Sequence, residues 1–191
     1  MRSLKISVVA ISKNEQADLP AFLENVLPWA FEVIIVDDGS TDQTESIAMQ
    51  AGSKVKFIKH PMDQQEGFAG QRNVGLAASS GDWLLNMDID ERLSYALYLE
   101  MVEAASNTKL NGFRYRRANF FLHRQMKAGG WTSWNQPQFA RRGSHKFVNR
   151  IHERASIEGE PDSVGQLKNK MWHLNDDSYS ERLRKSVQYC H

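Results

Sequence analysis

Four short apolar runs, alternating with stretches of helical spacing and each stopping at polar residues, do most to limit what this chain can fold into. Residues 5–11 (KISVVAI), 33–36 (VIIV), 54–59 (KVKFIK) and 83–87 (WLLNM) have the length and composition of buried strands. After the first, Asp18 is placed as an N-cap and Pro20 falls in a first turn, with Leu19, Phe22, Leu23 and Val26 at helical spacing. After the second, Asp42 with Glu45 three residues on is a capping-box signature for a helix running to Ala51 and closed by Gly52. Residues 70–80 carry Val74, Leu76 and Ala77 and stop at Gly81. This alternation predicts βαβ units: an α/β fold with a mostly parallel sheet and helices on both faces.

Ligands of such sheets sit at the carboxyl ends of the strands. Three polar clusters directly follow strands: Ser12 to Glu15, Asp37 to Asp42, and Asp88 to Glu91. They are expected along one rim. The last is the most demanding, because a buried strand running into Asp88, Asp90 and Glu91 places carboxylates where burial costs several kcal/mol unless a cation sits among them. Hard oxygen ligands at alternate positions suit Mg²⁺ or Mn²⁺. A solvated acidic loop is the plainer alternative. Arg72, at the start of a helix, is placed to meet phosphate, and Asp37 or Asp38 to accept hydrogen bonds from a base or ribose.

Past a helix at residues 94–105 the pattern changes. Residues 112–122, 138–142 and 146–157 read as short strands with breaks at Gly129, Gly130 and Gly143, followed by a last strand at 167–174 and a helix at 178–189 bearing Arg182, Arg184 and Lys185. The chain ends inside that helix without a capping glycine, so truncation at the carboxyl end is expected. Charge is divided unevenly. Residues 1–112 carry 9 Lys/Arg and 16 Asp/Glu, residues 113–154 carry 10 and 1, and residues 155–191 carry 5 and 6, which gives −7, +9 and −1 for the net +1. A basic block of this kind implies an anionic partner.

Several classes are excluded or disfavoured. One cysteine, Cys190, rules out an internal disulfide and a cysteine-rich zinc site and fits a reducing compartment. The opening residues read as a first strand rather than a signal peptide. No apolar run approaches the ~20 residues of a membrane-spanning helix. Neither G-x-G-x-x-G nor G-x-x-x-x-G-K-[ST] occurs, against hydride transfer and phosphate-loop hydrolysis, and no nucleic-acid-binding motif is present.

The order VVAISKNE, EVIIVDDGSTDQT, GQRNVGLA and GDWLLNMDIDE resembles the nucleotide-binding half of family 2 glycosyltransferases of the GT-A fold. The segments RANFFLHRQMKAGGW, QPQFARRG, NRIHERASIEG and VGQLKNKMWHL resemble the lipopolysaccharide core β-1,4-glucosyltransferase branch. Together they cover almost the whole chain. The resemblance implies one GT-A domain over residues 1–191, with a nucleotide-sugar half (1–112) and an acceptor half (113–191) built on a smaller mixed sheet. It implies that Ser12, Asn14 and Glu15 line the nucleotide pocket and that Asp38, beside Asp37, faces the base. Arg72 and Asn73 would lie near the diphosphate. Asp88, Asp90 and His173 would hold Mg²⁺ or Mn²⁺. The Glu-Asp pair that commonly supplies the base in this family is missing, and Glu153, the only acid of the basic block, is the substitute; an ion pair with Arg150 or Arg154 is its alternative role. Trp131 and Trp134 would stack on sugar rings or fill core.

The expected activity is inverting, metal-dependent transfer from a nucleotide-diphosphate sugar, most simply a UDP-sugar. The acceptor would be an anionic glycan or glycolipid, as in lipopolysaccharide core synthesis. The expected location is the cytoplasm, with peripheral contact at the inner face of a membrane, and nucleic acid is not expected as a partner. The alternative is a nucleotide-sugar-binding module without transferase activity.

Overall fold

Strand and helix alternate as the apolar pattern predicts, and the strands assemble into one large sheet. The structure is a computed structural model and describes residues 4–128, 133–150 and 153–174. In the first half β1 (Ile6–Ser12), α1 (Leu19–Val26), β2 (Glu32–Asp37), α2 (Thr44–Gln50), β3 (Val55–Lys59), α3 (Gly67–Ala78) and β4 (Trp83–Asn86) follow in order. A two-residue β5 (Glu91–Arg92) and α4 (Tyr95–Ser106) lead to the second half. There β6 (Gly112–Phe121), β7 (Arg124–Gln125), β8 (Asn135–Arg141), β9 (His145–Val148), β10 (Arg154–Ile157) and β11 (Val164–Leu174) complete the described elements.

The strand order is β3-β2-β1-β4-β8-β6-β11-β5, with β7 attached to β6. The pairs β1–β2, β2–β3 and β1–β4 are parallel, β8 is antiparallel to both β4 and β6, and β11 runs parallel to β6. The strands of the second half thus extend the sheet of the first half, and among the described residues only β9 and β10 form a separate two-stranded sheet. Residues 146–157, expected as a single strand, divide into these two antiparallel strands. The chain between them passes through Asn149 at φ +70°.

Strand alternation sorts the core onto two faces. On one, Phe22 and Val26 of α1, Ala48 of α2 and Leu97 and Met101 of α4 pack on Val8, Ile35, Leu85 and Tyr115. On the other, Ala69 and Leu76 of α3, with Phe147 of β9 and Ala155 of β10, pack on Val9, Ile34, Val36 and Leu84. Each fully buried side chain of this size contributes about 1.5–3 kcal/mol. Close approach of α3 to the sheet depends on Gly75, where a Cβ would lie 2.4 Å from Val9 Cγ1. That approach brings Arg72, one turn earlier, to the rim.

Helix starts differ in detail from the capping pattern. Asp18 occupies the N-cap of α1, but its side chain does not make the capping hydrogen bond. The Asp42 carboxylate accepts from Thr44 N–H (2.9 Å) and from Gln16 N–H (3.1 Å), but Glu45 turns outward to Lys59 (2.7 Å) instead of closing a capping box. Helix α3 begins three residues before the expected Gly70. Gly129, Gly130, Trp131 and the expected helix at 178–189 lie outside the described residues.

Candidate active site

The carboxyl ends of β1 and β2 lie side by side, with Ser12 registered against Asp37. Ser12 Oγ donates to Asp37 Oδ1 (2.8 Å), and Ser40 N–H donates to Asp37 Oδ2 (2.8 Å). Asp37, 2% exposed, therefore builds the rim. Asn14, at φ +57°, ties the two loops together: its N–H donates to Ser40 Oγ and its Oδ1 accepts from Thr41 N–H, both at 2.8 Å. Glu15 N–H donates to Thr44 Oγ1 (2.8 Å). Asp38 accepts from Lys13 Nζ (2.7 Å) and Met62 N–H (2.6 Å). Burial pushes its carboxyl up, and these two donors outweigh that, holding it below its ordinary value.

Beyond β4 the backbone turns so that Met87, Ile89 and Glu91 point into the protein and Asp88 and Asp90 lie half-buried at the rim. The turn closes on itself, with Asp88 N–H donating to Glu91 Oε2 and Glu91 N–H to Asp88 O, both at 2.9 Å. Two arginines converge on Asp88. Arg72 from α3 donates to Oδ1 (2.7 Å) and Arg117 from β6 to Oδ2 (2.6 Å). Arg117 Nε also donates to Glu91 Oε1 (2.5 Å), and its guanidinium lies 3.9 Å from the centre of the Trp134 ring. Trp134 is thereby packed on Arg117 and Tyr115. Burial drives the Asp88 carboxyl up, but Arg72 and Arg117 prevail and hold it well below the usual carboxylate range. Burial pushes Glu91 up, opposed by Arg117 and reinforced by Asp88, and its value lies above normal. Burial pushes both guanidiniums down, but Asp88 with Glu153 for Arg72, and Glu91 with Asp88 for Arg117, outweigh it and leave both raised.

Glu153, just ahead of β10, reaches this cluster through Arg72, whose Nε and Nη2 both lie 3.4 Å from its Oε1. Neither alternative pairing of Glu153 is found among the described residues, where Arg154 instead pairs with Glu160 (3.3 Å). Asn73, expected near the diphosphate, is occupied elsewhere: its Nδ2 donates to Phe147 O (3.0 Å) and its Oδ1 accepts from Phe147 N–H (2.8 Å). It fastens β9 to α3.

Asp88, Asp90 and His173 offer ligand atoms that all lie within 4.8 Å of one another. His173 Nδ1 is 2.7 Å from Asn119 Oδ1, and Nε2 is 3.3 Å from Asp90 Oδ2. With Nδ1–H donated to Asn119, His173 directs Nε2 toward the carboxylates, and a cation there would displace the Nε2 proton while Asn119 kept the outer-shell support that metal-ligating histidines ordinarily have. Burial pushes His173 down and the Asp90 carboxylate more than offsets it, leaving it above its ordinary value. Two carboxylates and one imidazole fit Mn²⁺ or Mg²⁺.

A mostly parallel sheet with an acid-and-arginine rim at its strand ends defines an α/β protein with a candidate anion- and metal-binding site, and comparison with known proteins gives the family. The family model described as "Glycosyl transferase family 2" matches residues 7–157, and the chain belongs to that family. It is 28% identical over 193 aligned residues to the lipopolysaccharide core biosynthesis glycosyltransferase LpsC of Rhizobium meliloti, covering 97% of this chain and 69% of the relative. It is 39% identical over 182 residues to an uncharacterised glycosyltransferase of Rickettsia felis, covering 92% of this chain and 61% of that protein. Among solved structures, S. aureus TarS residues 1–349 with UDP-GlcNAc superimposes with a TM-score of 0.68 at 17% identity, over 92% of this chain and 60% of TarS. The glucosyl-3-phosphoglycerate synthase of Mycobacterium tuberculosis matches with a TM-score of 0.59 at 20% identity, over 97% of this chain and 77% of the synthase. These similarities establish the GT-A fold. The chain spans 69% and 61% of the length of these two curated relatives.

Arg117 and Asn119 are residues of this site to which the motifs gave no role, whereas Glu91 belongs to the acidic cluster already read after β4. The available signal was strand alternation: Phe113, Tyr115, Arg117 and Asn119 fall on one face of β6, and Arg114 and Arg116 on the other.

Proposed function

We propose that this chain carries the donor site and catalytic groups of an inverting, metal-dependent glycosyltransferase. It moves a sugar from a UDP-sugar to an anionic glycan or glycolipid, in lipopolysaccharide core or another cell-surface polysaccharide. The observation that carries this reading is Arg72, which donates to Asp88 at 2.7 Å and reaches Glu153 only at 3.4 Å, beside the Asp88, Asp90 and His173 cluster. The ligands of the matched structures, UDP-GlcNAc for TarS and Mn²⁺ with UDP for the mycobacterial synthase, support the donor and the metal. LpsC supports the acceptor class.

Bound at Asp88, Asp90 and His173, a divalent cation would supply positive charge for the diphosphate that leaves. Arg72 does the rest of the donor's work on this side. Its contact with Glu153 is the longer of its two, so diphosphate oxygens compete for those N–H groups first. Glu153, released, is a free carboxylate facing the acceptor half. It accepts the proton of the acceptor hydroxyl as that oxygen forms its bond to the anomeric carbon, while the bond from that carbon to the diphosphate breaks on the opposite face. Configuration inverts. General-base assistance of this kind contributes about 10²-fold to 10⁴-fold. Asp37 and Asn14 hold the two rim loops, and we assign Asp38 the contact to the base. No helix among the described residues is long and apolar enough to cross a membrane. We place the protein in the cytoplasm, at the inner face of a membrane.

Calorimetry with UDP, with and without Mn²⁺, tests the reading. Metal-dependent binding that disappears in Asp90→Ala is expected, and absence of UDP binding refutes both transfer and simple nucleotide-sugar binding. If UDP binds but no sugar moves to any phosphorylated acceptor, the binding module is the correct description. Full transfer by Glu153→Gln removes Glu153 as the base.

A further inference from the structure

The β6–β7 hairpin leaves the site as a narrow prong. Its two-residue turn consists of Leu122 at φ +47° and His123 at φ +61°, positions where Asn-Gly or Gly is usual. A branched apolar residue is thus held at the tip in a left-handed conformation that it rarely adopts, and it is 37% exposed there. Strained, exposed apolar residues at a projecting tip point to contact with something outside the chain. The sheet beside the prong has the same character. Trp172 and Leu174 at the end of β11 are 48% and 38% exposed, and Phe120 meets Trp172 edge-on with ring centres 6.1 Å apart.

Charge accompanies this apolar edge. Neither residues 113–128 nor residues 164–174 contain an acid. Arg116, Arg124, Lys127 and Lys170 are exposed, and among the described residues none is in a salt bridge. Arg116 and Lys170 are registered neighbours on parallel strands, two like charges side by side on an open face. Helix α4 covers the opposite face of β11 through Leu97 and Met101 against Leu167 and Met171. An anionic surface would relieve the like charges, and only one with an apolar interior would also take up Leu122, Trp172 and Leu174. A soluble sugar phosphate satisfies the first need alone.

We infer that the β6–β7 prong and the adjoining end of β11 dock on an anionic phospholipid bilayer. Leu122 enters the headgroup region, Trp172 lies at the interface, and Arg116, Arg124, Lys127 and Lys170 face the headgroups. Asn119, the last residue of β6 before the Phe pair, bonds His173, so docking here sets the candidate active site at the bilayer surface, where a lipid-borne acceptor is presented. The purpose of the surface rests on the transferase reading, but its test does not.

Co-sedimentation of the full chain with phosphatidylcholine vesicles, with and without ~30% phosphatidylglycerol, measures the contact, and UDP binding is followed separately in the same protein. Binding is expected only with phosphatidylglycerol, weakening as salt rises. Neutralising Arg124 and Lys127 together (Arg124→Gln, Lys127→Gln) should lower the partition coefficient about 25-fold, roughly fivefold per cation. Leu122→Ser should lower it about tenfold, and Arg142→Gln, at the far end of β8, should leave it unchanged. No binding to anionic vesicles overturns the inference. So does binding that the charge variants reduce and Leu122→Ser and Trp172→Ser do not, which would mark a phosphate site. A dimer in solution that Trp172→Ser dissolves would assign this face to a second copy and overturn it equally. Loss of UDP binding with vesicle binding intact would count against the transferase reading alone.

Discussion

Replacing Arg117 by methionine removes a cation while keeping an apolar stem of similar length, and it isolates what the arginine does for the acids around it. In the native protein Arg117 is 13% exposed and donates at 2.5 Å to Glu91, whose side chain is 1% exposed, and at 2.6 Å to Asp88. Asp88 keeps Arg72 at 2.7 Å, but among the described residues Glu91 pairs with no second arginine. Removing one partner of a buried pair costs about 3–5 kcal/mol, because the remaining charge is left in low dielectric. Glu91 already lies above its ordinary value through burial, and without Arg117 it rises further. A carboxyl raised in the folded state makes the native protein bind the proton more tightly than the unfolded one. Stability is then full below the unfolded value and falls as pH rises through the folded value. Urea unfolding should therefore show Arg117→Met losing about 3 kcal/mol at pH 7 and clearly less at pH 5. Glu91→Gln in the same chain should restore most of the loss, giving a coupling of about 2–3 kcal/mol in the double-mutant cycle. A loss below about 1 kcal/mol, or no rescue by Glu91→Gln, would mean that Glu91 is not held by Arg117 as described.

Two further outcomes follow from side chains around the site. His145, 8% exposed, is held down to about 4 by burial and by Arg72 nearby, from an ordinary 6.5. The unfolded chain takes up that proton first, so its contribution is complete above pH 6.5 and is lost as pH falls toward 4, about 3 kcal/mol in all. His145→Phe should flatten the stability profile in that window, and an unchanged profile would refute the assignment. Asn73→Ala removes both bonds to the Phe147 backbone and should cost about 1–3 kcal/mol of stability. UDP affinity measured by calorimetry should change less than about threefold, equivalent to under 1 kcal/mol; a larger change would return Asn73 to the diphosphate.

Much of the donor half was legible because each of its signals is local. A β-branched run bounded by polar residues is readable within one window, and the rule that ligands meet strand carboxyl ends then aligns Ser12, Asp37 and Asp88 without knowledge of strand order. Arg117 could not be found this way. It reaches Asp88 only because β8 enters antiparallel between β4 and β6, a long-range pairing that no window contains. Three arginines in Arg114, Arg116 and Arg117 look alike in sequence, and only the placement of Tyr115 against the core selects Arg117 for the site. The division of residues 146–157 into two strands was hidden for another reason: Asn149 makes the left-handed turn without glycine or proline to announce it. The resemblance puts Asn73 with Arg72 near the diphosphate, but successive helical residues point about 100° apart, and the Asn73 side chain bonds the Phe147 backbone of β9.

If the proposed function is right, the balance of charge in the cluster predicts that donor and metal bind together. Arg117 is committed to Glu91 and Arg72 to Asp88, which leaves Asp90 and Glu153 as the acids without a full cation of their own. His173 faces Asp90 at 3.3 Å and Arg72 reaches Glu153 only at 3.4 Å, so both pairings are partial. A diphosphate arriving alone meets two arginines already engaged and two acids incompletely neutralised, and repulsion offsets much of its attraction to Arg72. On the proposed reading a divalent cation held by Asp88, Asp90 and His173 would supply the charge that reverses this balance, and Arg72 would then be free to turn from Glu153 to the diphosphate. On that reading the long Arg72–Glu153 contact has a use, because a tight pair would keep the proposed base engaged after the donor had bound.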